Sequence, residues 1–231
     1  MPTERTFGAR LANAQDLISH LQSFSGYKPN RKSESIADLE QLVADIKVAN
    51  PAVVTAEKNY SDAVEARQQA FFKDGKSIKK LVKPIRSAVN STFGKKSTES
   101  ETIGKLIAKI QGEKPVKIKD GDKEKTISQS QRSFGSITEN FSSIVTLLDN
   151  KGSDYAPANT DITVASLKAF VATLPAINHN VATTDAVLSQ KRDSREALYN
   201  DLAERVSRVK DAVKSQYGEE SSEWAMVKNI K

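Results

Sequence analysis

The chain contains no cysteine. That excludes disulfides, thiolate nucleophiles and cysteine-ligated zinc. Glycine (10) and proline (7) are sparse for 231 residues, which argues against a turn-rich β architecture and for long helices. Histidine occurs twice, as His20 and His179, and neither is followed three or four residues on by a second histidine or a carboxylate. No Gly-rich phosphate loop, nucleophile elbow or HExxH is present. No run approaches the ~20 apolar residues that span a bilayer. The start, MPTERTFGAR, lacks the apolar centre of a signal peptide. These absences lead to the expectation of a cytoplasmic protein without a membrane segment, cofactor, metal or catalytic site.

What is present is modest in apolarity and uneven in charge. Apolar residues make up 38%, lean but sufficient for helices that bury one stripe each. The net charge is +6 over the whole chain; residues 1–125 hold +7 and residues 126–231 hold −1. Most of the excess lies in Lys73–Lys125, where 15 basic residues face 7 acidic ones. A basic region of this kind attracts nucleic acid or other anionic surfaces.

The sequence repeats itself. Glu-Arg-Thr-Phe-Gly at 4–8 recurs as Gln-Arg-Ser-Phe-Gly at 131–135, an offset of 127. From Tyr27 and Tyr155 onward the offset is 128; it pairs Leu39 with Leu167, Asn50 with Asn178, Val53 with Val181 and Arg67 with Arg195. Near residue 80 the second copy is shorter by four residues. After that, Ala88-Val89…Phe93-Gly94 matches Ala212-Val213…Tyr217-Gly218 at offset 124. The organisation read from this is a first copy at 1–110, a lysine-rich linker at 111–127 and a second copy at 128–231.

Each copy reads as three main helices and a short fourth. The first helix, about Thr3–Phe24, places Phe7, Leu11, Ala14, Leu17, Ile18 and Leu21 on one face. The third, about Ser77–Phe93, does the same with Ile78, Leu81, Val82, Ile85 and Val89, and in the second copy with Leu202, Val206, Val209, Val213 and Tyr217. Between them, positions 36, 39, 43, 46, 50, 53, 57, 60, 64, 67 and 71 step by three and four without a slip, as do 164 to 199. Pro51 and Pro175 fall inside these stripes, where proline normally kinks or ends a helix. The unbroken phase favours one kinked helix of ~40 residues in each copy; the alternative is two helices meeting at the proline. In the linker, Val116-Lys-Ile118-Lys suits a hairpin strand around Asp120-Gly121, and the polar composition suits a tether. The fold class expected is all-α, an elongated bundle in which the two long helices lie antiparallel about a pseudo-twofold axis and the copies share one core.

Three constellations deserve a chemical reading. Phe93-Gly94…Ser97-x-Glu99 and Tyr217-Gly218…Ser221-x-Glu223 read as a glycine C-cap followed by a serine N-cap, in preference to an anion-binding turn. The long stripe carries Asn50, Glu57 and Arg67, matched by Asn178, Asp185 and Arg195. Inward acids suit metal ligands, but the di-iron pattern requires Glu-x-x-His on facing helices, so these six read as a polar layer. Within it Glu57 would reach Arg195 and Asp185 would reach Arg67. Lys76, Lys79, Lys80, Lys83 and Arg86 form the candidate anion contact. Nucleic-acid readers usually add arginine forks and stacking aromatics; here lysine dominates and the second copy has no such patch, so a solvated face is the simpler reading.

Three further motifs carry a likeness: Tyr155-x-Pro-x-Asn159 before a long helix, Lys125-Thr-Ile-Ser-x-Ser-Gln131 at the opening of the second copy, and the Val-Lys-x-x-Val…Tyr/Phe-Gly-x-x-Ser-x-Glu ending. With these the chain resembles a group of uncharacterised bacterial all-helical proteins with two tandem helical copies. The resemblance implies helical architecture and brings no activity, cofactor or site residue. Many such proteins end the second copy in a more basic tail than Ala225-Met-Val-Lys-Asn-Ile-Lys231. The function expected is a non-enzymatic helical scaffold or protein-interaction module, the partner being a protein; the alternative is sequence-independent nucleic-acid binding through Lys73–Lys125.

Overall fold

The computed structural model describes residues 6–112, 116–120, 123–127 and 132–230. Helix α1 (Phe7–Ser23) begins at Thr6, whose side chain accepts from the Ala9 amide at 3.2 Å, and buries Ala14, Leu17, Ile18 and Leu21. Helix α2 (Ile36–Gln68) runs through Pro51 and passes into a π turn, Gln69–Lys73. Helices α3 (Ile78–Phe93) and α4 (Thr98–Gln111) follow. In the linker, strands β1 (Val116–Asp120) and β2 (Lys123–Ile127) pair antiparallel with Ile118 opposite Lys125. Helix α5 (Phe134–Asp149) corresponds to α1, and α6 (Val164–Tyr217) is a single helix of 54 residues; α7 (Ser222–Val227) ends the described chain. Apart from one hairpin the described residues form an all-α fold.

Both prolines are carried inside continuous helices. Pro51 and Pro175 are exposed, while Ile46 and Val53 flank the first on the buried side and Leu174 and Val181 flank the second. An interior proline costs about 3 kcal/mol. Burial of two large aliphatic side chains on either side, at about 1.5–3 kcal/mol each, offsets that.

The expected boundary between the long and third helices is present in the first copy only. There, Phe72-Lys-Asp-Gly-Lys-Ser separates Phe71 from Ile78, and Gly75 and Ser77 interrupt the helix. In the second copy only Asn200 and Asp201 separate Tyr199 from Leu202. Without glycine, serine or proline to break it, the stripe Arg195, Tyr199, Leu202, Val206, Val209, Val213 holds phase and α6 runs straight through. The second copy therefore has two main helices where three were expected.

Compactness does not follow the order of the copies. One unit comprises residues 1–59 and 185–231, the other residues 60–184. In unit 1 the core joins Leu17, Leu21, Leu39 and Ile46 to Tyr199, Leu202, Val209 and Val213. In unit 2 it joins Phe71, Ile78, Ile85 and Ile107 to Phe141, Ile144, Leu148 and Leu167. Each core thus contains one half of each copy.

Local devices recur at equivalent positions. The Tyr27 hydroxyl donates to the Glu34 carbonyl at 3.1 Å, and the Tyr155 hydroxyl to the Ile162 carbonyl at 3.1 Å. Burial pushes both phenols up to about 12, Glu34 and Tyr217 adding to the effect at Tyr27. Gly94 and Gly218 end their helices at φ 91° and 92°, a region that favours glycine. Three residues on, the Ser97 hydroxyl accepts from the Ser100 amide and that of Ser221 from the Trp224 amide, each at 3.1 Å, while each donates back to its glycine carbonyl. The cap reading of these elements is what the geometry shows.

One equivalence swaps chemistry instead of keeping it. Glu34 is 2% exposed and accepts from Arg208 Nε at 2.8 Å. The positions equivalent to this pair are Ile162, also buried, and Pro84, on α3, which packs against the Thr160–Ile162 turn. An ion pair in unit 1 stands where unit 2 has two apolar residues.

Candidate functional site

The six polar seam residues do not form one layer. Glu57 and Asp185 are exposed. Glu57 accepts from Arg192 Nη2 at 2.8 Å, one turn before the Arg195 expected as its partner. No ion pair joins Asp185 to Arg67 among the described residues. The expected pairing fails because a strict three–four stripe drifts about 20° per heptad on a straight helix. Each long helix also passes from one core to the other near these positions, with the division falling at Asn59/Tyr60 and at Thr184/Asp185.

The two arginines take aromatic partners instead. Arg195 lies over the Phe7 ring with 4.4 Å from guanidinium carbon to centroid, and Arg67 over the Phe134 ring at 3.9 Å. Phe7 in turn packs tilted against Tyr199 with ring centroids 4.5 Å apart, and Phe134 meets Phe71 edge to face at 5.0 Å. The Tyr199 hydroxyl donates to the Phe7 carbonyl and accepts from Asn50 Nδ2, both at 3.0 Å. Phe71 has no hydroxyl to offer, and Asn178 turns to Thr138 Oγ1 at 3.3 Å. Asn50 Oδ1, Asn178 Oδ1, Arg67 Nε and Arg195 Nε are buried without a hydrogen-bond partner. The seam pattern makes all four positions polar and inward, but it does not show that aromatic rings receive the arginines. The signal is the Arg-Thr-Phe-Gly and Arg-Ser-Phe-Gly copies at 5–8 and 132–135, which place a phenylalanine at the start of both α1 and α5.

The candidate anion contacts scatter. Lys76 is neutralised by Asp161 at 2.6 Å, which holds its pKa above the usual lysine value. Lys73, at the head of the basic region, pairs with Glu65 at 2.9 Å. The Arg86 guanidinium sits beside Gly104, 3.9 Å from where a Cβ would stand. Lys79, Lys80 and Lys83 have no ion pair among the described residues and line a common cleft. No cluster of three metal-ligating side chains occurs among the described residues. No described helix is long and apolar enough to cross a membrane.

The most repeated surface feature is a groove between the first helix of each copy and the start of the long one. In unit 1 it runs between Gln15, Ser19 and Gln22 on α1 and Ala44 and Lys47 on α2, with about 320 Å³ of space. In unit 2 it runs between Ser142 and Thr146 on α5 and Pro175 and Asn178 on α6, with about 790 Å³. Gln15/Ser142, Ser19/Thr146 and Lys47/Pro175 are equivalent pairs. In unit 1 Gln22 Nε2 on α1 donates across the groove to Glu40 Oε1 on α2 at 2.8 Å.

No protein-family profile matches the chain, and no curated protein or solved structure matches it either.

Proposed function

We propose that the chain is a non-enzymatic helical scaffold, working in the cytoplasm, that engages another protein through these two grooves. The observation that carries the reading is the recurrence of the groove at equivalent positions of both copies. On this reading the copies are pseudo-twofold equivalents, each supplying a helical channel into which the ridge of a partner helix fits. Two weak sites joined in one chain raise overall avidity without any new contact.

A photo-crosslinking residue placed at Ser19 and, separately, at Thr146 tests the proposal in cell extract. The expected result is the same adduct from both positions and none from a control at Glu101 on α4. Absence of adducts at both grooves, or equal labelling at all three positions, overturns it.

A further inference from the structure

Lys79, Lys80 and Lys83 on α3 converge with Arg132 on one cleft of about 290 Å³, floored by Phe71, Phe72 and Ile110. Its described lining holds four cations and no acid. None of the four has an ion pair among the described residues, whereas neighbouring Lys73 and Lys76 do. The floor is apolar and firm: Phe71 is fully buried, Ile110 nearly so, and Phe71 and Phe72 both pack on Phe134, at 5.0 and 5.8 Å between centroids. The two phenylalanines lie in the π turn Gln69–Lys73, a local widening of the helix found disproportionately at functional sites.

The other copy shows that the fold does not require this chemistry. At the positions equivalent to Lys79, Lys80 and Lys83 stand Ala203, Glu204 and Ser207, and α6 passes the position of the π turn as regular helix. That helix face therefore carries one acid and no lysine where α3 carries three lysines. Four like charges gathered on an apolar floor repel one another, and an anion with an apolar body relieves that while filling the space. A nucleic-acid strand fits less well. It needs cations tracking along a backbone and open aromatic platforms, but Lys76 is paired with Asp161, Arg86 does not line the cleft and Phe71 is sealed beneath the surface.

We infer that this cleft binds a small amphiphilic organic anion, its apolar or aromatic body against Phe72, over the floor that Phe71 and Ile110 make beneath it, and its acidic group held by Lys79, Lys80, Lys83 and Arg132. The inference is independent of the grooves and survives their failure.

Titration of the full chain with 1-anilinonaphthalene-8-sulfonate, read by fluorescence and calorimetry, tests it. Saturable binding at one site is expected, displaced by decanoate and not by equal concentrations of inorganic phosphate, and weakening as salt rises. The double variant K80E/K83E should bind at least tenfold more weakly with unchanged thermal unfolding, and Phe72→Ala should also bind more weakly. Lys191→Glu, exposed on α6 in unit 1, should bind as the parent does. No saturable binding, or equal binding by K80E/K83E and the parent, overturns the inference. Tight binding of oligothymidylate that depends on Lys80 and Lys83, with neither the sulfonate nor decanoate bound, overturns it in favour of a nucleic-acid surface.

Discussion

Arg195 rests on the ring of Phe7, 188 residues away in sequence, and Arg67 makes the equivalent contact with Phe134. In each case an arginine from the far half of one copy's long helix covers the phenylalanine that opens the first helix of the other copy. Double-mutant cycles of Arg195→Ala with Phe7→Leu and of Arg67→Ala with Phe134→Leu should each show coupling of about 0.5–2 kcal/mol, the range for a partly desolvated cation–π contact. Additive effects in urea unfolding would show that the stacks contribute nothing specific.

The Glu34–Arg208 pair makes a sharper test, because unit 2 already contains its apolar replacement. Arg208→Leu alone leaves Glu34 buried beside no cation, and should destabilise by about 3 kcal/mol. Adding Glu34→Ile should restore most or all of the loss. In contrast, Glu57→Gln, which breaks an exposed pair with Arg192, should change stability by less than about 1 kcal/mol. Denaturant midpoints of the three variants give the ranking.

Glycines of opposite conformational demand should respond with opposite sign. Gly218→Ala and Gly94→Ala force alanine to a positive φ and should each cost about 1 kcal/mol. Gly135 and Gly104 lie inside helices with room for a Cβ, so Gly135→Ala and Gly104→Ala should stabilise by about 0.4–1 kcal/mol. Thermal unfolding of the four single variants decides the matter.

Alkaline pH should loosen both units. Tyr27 and Tyr155 titrate near 10 when unfolded and at about 12 when folded, so between those values the unfolded chain has released protons that the folded chain keeps. Stability is then fully present below pH 10 and falls as pH rises toward 12. Absorbance at 295 nm should show at least two of the 5 tyrosines ionising late, together with the loss of helical circular dichroism. In Tyr155→Phe the pH-dependent loss should be smaller.

Much of the local structure was legible because it rests on short-range rules. Period-3.6 stripes mark the helices and Gly-x-x-Ser marks the caps, while Val116-Lys-Ile118-Lys beside Asp120-Gly121 allows a hairpin that the polar composition of the linker sets against a simple tether. The continuity of α6 was legible too: Tyr199 to Leu202 is a step of three, in phase on both sides, with no breaker between. Similarity to the first copy, where Gly75 and Ser77 do interrupt, concealed it. The π turn at Gln69–Lys73 leaves no periodic trace, since one extra residue per turn is smaller than the spread of an apolar stripe. The cleft at Lys79, Lys80 and Lys83 required tertiary structure, because Arg132 joins it from across the linker.

The interleaving of the copies also sets an order of events during synthesis. Residues 60–184 are contiguous and hold every partner of their own core, so that unit can close as soon as it leaves the ribosome. The first 59 residues emerge earlier but have no completed core until residues 185–231 follow them. For most of translation, Leu17, Leu21, Leu39 and Ile46 are therefore exposed to chaperones and to neighbouring nascent chains. The segment made first is the last to be secured.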